Sequence, residues 1–421
     1  MIMASCFYEA LQSLTSIFWF VHKRVITTIF LGRNMLHLLS RMNNKPLKKM
    51  SFGSFLVSLF LNHAALADQD VYFGTGNEYG DGIYHAIFDE SNGTLSTAKR
   101  VADINAPGFL AKHPTLDIIY AVAKIDETPV VAAYKKNIDG SLTFINSVEI
   151  GDGSGTHIAV HPSGKFVATV QYGGGSVAIF LLQNNGALAS RTQLIEHEGG
   201  SQVYEDRQDS PHPHWVGFSP DGKYALVPDL GLDAVLIYKV SEGKQVLTYH
   251  SRAITVEGGG PRHMRFSIDG DYIYLLNELE LSISTFKYDA TKGKAELVSV
   301  TPTLSKQKKL QEAFNSASEI LVHPNGKFVY SGNRGHDSVS VFTIKEGATP
   351  ELLETEHVRG AYPRNINIDL SGKWLLAAGQ HSNTVSVFSI DQDLGLLQYQ
   401  TNKTINLPEP ICILFDDRQL L

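Results

Sequence analysis

HIAVHPSGKFVATVQYGGGSVAIF, residues 157–180, is the stretch on which the fold turns. Its alternating opening, HIAV, runs into Pro-Ser-Gly-Lys, a turn signal. A second apolar run, FVATVQY, follows, then a glycine stretch, then SVAIF. A looser run, SRTQLIEH (190–197), ends the unit. The same grammar returns in HWVGFSPDGKYALVPDLGLDAVLIY (214–238), HMRFSIDGDYIYLLNELELSISTF (263–286), EILVHPNGKFVYSGNRGHDSVSVF (319–342) and NINIDLSGKWLLAAGQHSNTVSVF (365–388). A shorter copy, FLAKHPTLDIIYAV, covers 109–122. Copies begin near Phe109, His157, His214, His263, Glu319 and Asn365, a period of about 45–57 residues. Four strands per copy at that period predict an all-β fold, a β-propeller of four-stranded antiparallel blades.

The chain ends complete the count. VYFGTG and GIYHAIFD read as second and third strands and TAKRVADI as a fourth. The missing first strand is PICILF, Pro410 to Phe415. Six internal copies and this composite predict a seven-bladed β-propeller whose closing blade is shared by the N- and C-terminal strands. Such closure removes an exposed sheet edge.

The propeller is expected over 68–421. Ahead of it, Lys45, Lys48 and Lys49 precede the apolar run SFGSFLVSLFL, and Ala65-Leu66-Ala67 follows. Basic residues, a short apolar core and a small-residue cleavage site form a secretory signal peptide, here 42–67. Residues 1–41 then read as an over-called or targeting extension, with Met42 or Met50 as the start. The mature protein is expected in the periplasm or outside the cell, without a membrane anchor. A net charge of −7 gives no support to nucleic-acid binding, which shows a basic patch. Cys6 and Cys412 are the only cysteines, and Cys6 lies in the leader, so no internal disulfide is expected. Cys412 alternates with Ile411 and Ile413 and reads as a buried apolar filler.

In a blade the innermost strand runs down the channel and the second runs back. The start of strand one and the end of strand two therefore meet at one rim. Before strand one stand Thr156-His157, His212-Pro213-His214, Pro261-Arg262-His263, Ser318-Glu319 and Pro363-Arg364. Ending strand two are Lys124, Tyr172, Asp229, Asn277-Glu278, Asn333-Arg334 and Gln380-His381. A structural repeat needs only small or turn residues at these places, so this polar set predicts a pocket on one face. Pro213, Pro261 and Pro363 fit strand starts and edges, where no ladder amide is needed. His113, His161 and His323, each before Pro, fall at the far end of strand one and read as structural. Asp337 reads as a turn anchor. Tyr172 to Gly175 is a loop without a following helix and so no phosphate loop. His212 and His214 share one side of an extended chain and suit an ion such as zinc. Spacing fixes no third ligand, and a site without metal or cofactor is expected.

At HPH, GPRH, NEL, NRGHDS and the closing PICI, the chain resembles the seven-bladed propeller lactonase family. That family includes bacterial 6-phosphogluconolactonases and the fungal 3-carboxy-cis,cis-muconate lactonizing enzyme. The resemblance spans essentially the whole mature chain. It implies catalytic roles for His214, Arg262, Glu278 and Arg334, with His212, Glu319, Arg364 and His381 as substrate-binding members of the same pocket. One departure is PRNINID, where Asn365 stands at a place the family often gives to His. The resemblance implies hydrolysis of a sugar lactone of the gluconolactone class by a monomer acting on a small molecule. Lactone formation of the carboxymuconate type, and a non-catalytic binding propeller, are the alternatives. Opening a lactone needs a base for water and charge to hold the oxyanion. Neutral His214 or Glu278 suits the first task, and the arginines suit the second.

Overall fold

The computed structural model describes residues 68–76, 78–241 and 243–417; the expected extension and signal peptide, 1–67, lie outside them. The described chain forms seven antiparallel sheets. Six are consecutive in sequence: blade 1 (105–149), blade 2 (157–196), blade 3 (217–254), blade 4 (261–302), blade 5 (316–357) and blade 6 (363–406). Blade 7 joins the ends, in the order Pro410–Asp417, Gln69–Thr75, Gly82–Asp89, then the short outer strands Thr94–Leu95 and Lys99–Asp103. Val71 lies opposite Phe415 and Tyr72 opposite Leu414. PICILF is thus the innermost strand of the closing blade.

Burial follows the position of a strand in its blade. Second strands such as Phe166–Gln171 and Tyr224–Asp229 are buried at every residue. The outermost strand Lys294–Pro302 is largely exposed. Blades stack face to face, so the apolar core lies at the seams between them. Phe166 and Val170 of blade 2 meet Val227 and Tyr238 of blade 3. Val71 and Phe73 of blade 7 meet Leu376 and Val387 of blade 6, and Tyr72 and Ile83 meet Ile119 and Ala121 of blade 1. The ring closes through the same kind of seam as its interior.

Polar side chains cross the seams at repeated places. The Nε2–H of His113, His161 and His323 points at the carbonyls of Gly164, Gly222 and Gly372, each the turn glycine of the next blade. Their Nδ1 atoms accept the amides of Thr115, Ser163 and Asn325. These histidines are fully committed to structure. The closing blade adds a buried ion network. Lys136 of blade 1 meets Asp416 at 2.6 Å and Asp70 at 3.6 Å, and Asp70 meets His85 at 2.8 Å. One lysine therefore ties both chain ends to the first blade.

Burial raises the Asp416 carboxyl, but hydrogen bonds from Lys112 and Lys136 outweigh it and hold the group below the usual carboxylate value. A folded-state value below the unfolded one contributes stability above the unfolded value, and that stability is lost as pH falls through the folded one. Lys136→Met removes the nearer of two lysines from Asp416 and leaves Asp70 with His85 alone, and should cost about 1–3 kcal/mol. It should also move the acid loss of stability to higher pH. Denaturant unfolding across a pH series measures both effects.

Candidate active site

The innermost strands are irregular where they begin. In blade 4, Pro261 pairs with Asn277 and Met264 with Leu275, so Arg262 and His263 together face a single residue. In blade 5, Ala317 pairs with Asn333 and Ile320 with Ser331, which releases Ser318 and Glu319. In blade 6, Pro363 and Asn365 pair with adjacent residues, and Arg364 is the extra one. In blade 3, Pro213 bridges Asp229 and His214 N–H donates to Pro228 O at 3.1 Å, but regular pairing resumes only at Gly217. A bulge leaves its extra residue unpaired and re-aims its side chain. Here it turns Arg262 and Arg364 into the channel mouth, which His214 also lines from the irregular start of blade 3.

In blades 3, 5 and 6, the residue before the third strand fastens the chain just ahead of the next innermost strand. Asp233, Asp337 and Asn383 sit at φ 51°, 51° and 56°, a region Asp and Asn tolerate. Asp233 accepts the amides of Gly258 and Gly260 at 2.8 and 2.9 Å, just ahead of Arg262. Asp337 accepts Tyr362 N–H at 2.8 Å, just ahead of Arg364. Asn383 accepts Glu409 N–H at 2.8 Å, just ahead of the closing strand. Asp337 anchors its own turn as well, accepting Gly335 N–H at 3.2 Å.

Glu278 organises the site. Its Oε2 accepts Arg262 Nε–H at 2.9 Å and lies 3.0 Å from Arg334 Nη2. Its Oε1 accepts Arg207 Nη2–H at 2.7 Å. Arg262 also donates to Ser318 O, and Arg334 to Ala317 O at 2.8 Å. Arg334 lies over the Tyr362 ring, 5.2 Å from its centroid. Burial alone would raise the Glu278 carboxyl; Arg334, Arg262, His214 and Arg207 reverse that and hold it well below the usual range. Glu278 is therefore a fixed carboxylate with little proton affinity.

His214 has the opposite character. It is buried, and its Nδ1 finds no hydrogen-bond partner among the described residues. Burial, then Arg262 and His263, push its proton affinity well below that of an ordinary imidazole. The ring is neutral at neutral pH, with a basic nitrogen at its disposal. It packs edge-on against His263 (5.1 Å) and Tyr172 (5.7 Å). Arg364, largely enclosed, forms no hydrogen bond or ion pair within the described residues. Burial and then Arg334 press on its charge. It is a guanidinium in search of an anion.

Two adjoining hollows open on these groups. One, of about 430 Å³, is lined by Arg207, Glu278, Arg334, Tyr172, Phe314 and Tyr362. The other, of about 350 Å³, is lined by Arg262, His263, Lys124, Gln380 and the small residues Ala106, Gly108 and Gly155. Thr156, His214 and Arg364 belong to both, so they stand on the common wall.

His214, Arg262, Glu278, Arg334 and Arg364 are thus brought together as the repeat positions imply. The other three expected members are placed elsewhere. His212 stacks on Tyr172 at 4.4 Å, donates Nδ1–H to Tyr172 O, and backs the hollow rather than lining it. Glu319 is wholly buried and saturated by His263, Arg265, Asn365 and its neighbour Ile320 N–H. His381 is exposed and stacks on the outer side of Tyr362 at 4.1 Å. Arg207, Phe314 and Tyr362 are the lining residues that repeat reasoning passes over. All three lie in links between blades, outside the repeat. Among the described residues, no cluster of three or more His, Cys, Asp or Glu side chains is arranged to hold a metal.

The family model described as lactonase, 7-bladed beta-propeller, matches residues 70–415. The 6-phosphogluconolactonase of Bacillus subtilis (strain 168) is 32% identical over 352 residues, 82% of this chain and 97% of that protein. The structure of a putative 6-phosphogluconolactonase from Bacteroides uniformis superimposes with a TM-score of 0.77 at 28% identity, covering 83% of this chain and 100% of that one. The periplasmic gluconolactonase of Pseudomonas aeruginosa does so with a TM-score of 0.77 at 26% identity, covering 83% and 99%.

Asp337→Ala removes the acceptor for Tyr362 and Gly335 and puts an ordinary residue at a left-handed position. It should lower stability by about 1–3 kcal/mol, the cost of stranded buried amides. Asp337→Asn keeps the acceptor and the backbone tolerance, and should retain most of that stability in thermal unfolding.

Proposed function

We propose, for a chain that belongs to the seven-bladed β-propeller lactonase family, the hydrolysis of a sugar lactone of the gluconolactone class to its open acid. The observation that carries this reading is the common wall of the two hollows. It joins a neutral imidazole with an unused nitrogen to guanidiniums in excess of their carboxylate partner.

His214 is the general base. A water held against the His214 ring in the hollow gives up a proton to the imidazole as its oxygen adds to the lactone carbonyl carbon. The carbonyl oxygen becomes an oxyanion, and Arg334, which lines the same hollow as His214, faces the space where that charge develops. Fixed cations in an enclosed site stabilise such charge far more than water does. The tetrahedral carbon then expels the ring oxygen, which takes the proton from the His214 imidazolium. A carboxylic acid and a free hydroxyl result, and the acid loses its proton to solvent. Glu278 handles no proton in this scheme. Its ionised carboxylate holds Arg262 and Arg334 in place and keeps them from repelling one another. Arg262 carries its charge into the second hollow.

The protein acts outside the cytoplasm in this reading, after cleavage at Ala67. The support is the basic, apolar and Ala-Leu-Ala order of 42–67, together with a structural neighbour described as periplasmic. N-terminal sequencing of protein recovered from its host should give Asp68 as the first residue. Retention of residues 1–41 in the abundant form would remove the export reading.

His214→Ala should reduce turnover on glucono-δ-lactone by about 10²–10⁴-fold, as loss of a general base does. The base works only when neutral, and the site depresses its proton affinity. The rate of the intact enzyme should therefore persist as pH falls through 6.5 and decline only below it. Proton release in a pH-stat follows both. An inflection at or above 6.5 that vanishes in His214→Ala would contradict a depressed value. Full activity in His214→Ala would dispose of the mechanism.

A further inference from the structure

Three guanidiniums meet Glu278, and one differs from the others. Arg262 and Arg334 are buried and share Oε2, and each is also fixed to a backbone carbonyl of blade 5. Arg207 comes from the link 197–213 and holds Oε1 alone at 2.7 Å. Its side chain is 36% exposed, and its one other tie is Nε–H to Tyr172 OH at 3.3 Å.

This asymmetry decides which pair can exchange. Withdrawing Arg262 or Arg334 would strand a buried charge, which is strongly unfavourable. Withdrawing Arg207 leaves Glu278 compensated at Oε2, and an exposed guanidinium is readily solvated. The link itself is fastened on both sides of Arg207. Gln208 donates to Leu230 O at 2.8 Å and Asp233 Oδ1 at 2.6 Å, and Tyr204 OH donates to Glu280 at 3.2 Å. A swing of the side chain is enough; the backbone need not open. Within the same hollow, Arg364 presents a guanidinium without a protein anion.

We propose that Arg207 is an exchangeable clamp: its guanidinium leaves Glu278 Oε1 to join Arg364 on an anionic group, phosphate or carboxylate, carried by the lactone substrate. Two planar guanidiniums suit the paired oxygens of either group. The anion replaces Oε1 as partner, so no cation is left bare, and the freed Oε1 can accept a sugar hydroxyl. The clamp gives the site its preference for charged over uncharged lactones. This rests on the lactonase reading above.

Steady-state kinetics on glucono-δ-lactone, its 6-phosphate and a glucaric acid lactone test it, using intact protein, Arg207→Ala and Arg207→Lys. For the preferred charged lactone, Arg207→Ala should raise KM on the order of 10- to 100-fold, the worth of one charge-assisted contact. The uncharged lactone should suffer much less, and Arg207→Lys should recover part of the loss. Whether the phosphate or the carboxylate arm shows the effect identifies the anion. Inorganic phosphate should bind intact protein in calorimetry and bind Arg207→Ala correspondingly more weakly. An equal loss on charged and uncharged lactones, with phosphate affinity unaltered, makes Arg207 a fixed brace and overturns the clamp. If intact protein hydrolyses none of the three, the lactonase reading fails, and the phosphate titration still decides for or against the clamp.

Discussion

The innermost strand of each blade has a hydrogen-bonded neighbour on one side only, and the site depends on that. A strand inside a sheet cannot spare ladder positions without leaving buried amides unpaired. A strand bordering the channel can, and it does so at its first residues in blades 3, 4, 5 and 6. Side chains released from the alternation converge on the axis from several blades. Pro213, Pro261 and Pro363 stand at the same points because a proline gives up no ladder amide there. The edge that β proteins elsewhere must hide becomes the functional surface.

Convergence brings like charges together, and Glu278 makes that tolerable. Arg262 and Arg334 reach one carboxylate oxygen from neighbouring blades, and the buried carboxyl is ionised because they do. The balance stops short of neutrality, since Arg364 has no such partner. Beneath this layer the channel is plugged by aromatic rings, with His157 4.2 Å from Phe109 and 5.4 Å from both His263 and Trp215. Burial keeps these imidazoles neutral, so the cationic layer rests on an uncharged floor. A small enclosed volume with fixed cations favours groups that become negative within it.

The ring was legible because five blades repeat a glycine turn after strand one, as Pro-x-Gly-Lys, Asp-Gly or Ser-Gly-Lys, whatever the blade's task. The single strand at 410–417 could be placed for the same reason, having no hairpin partner of its own. Within the site, His214, Arg262, Glu278 and Arg334 were legible from repeat position. What repeat position does not settle is the direction of a side chain at a bulge. Arg262 turns to the hollow. Glu319, one place further along the next blade's bulge and in line with His263, turns inward and is saturated there. Both are ionisable residues at strand starts, and only the ladder register separates them. Arg207, Phe314 and Tyr362 were illegible for another reason: links carry no period, so nothing in the pattern marks which of their side chains fold back over the channel.

Glu319 has a role that follows from this inward turn. It accepts His263 Nδ1–H at 2.9 Å from blade 4 and the Asn365 side-chain amide at 2.7 Å from blade 6. Asn365 in turn accepts Ile413 N–H at 2.9 Å from the closing strand. Four consecutive blades are thus joined by one buried hydrogen-bond chain across the channel floor. Asn365, the departure from the family pattern, fits here because its amide offers a donor and an acceptor from one short side chain. The chain ends on His263, whose ring packs on His214. The strand that shuts the ring and the imidazole proposed to carry the chemistry are therefore held by one polar thread, and the geometry of the site is bound to the closure of the fold.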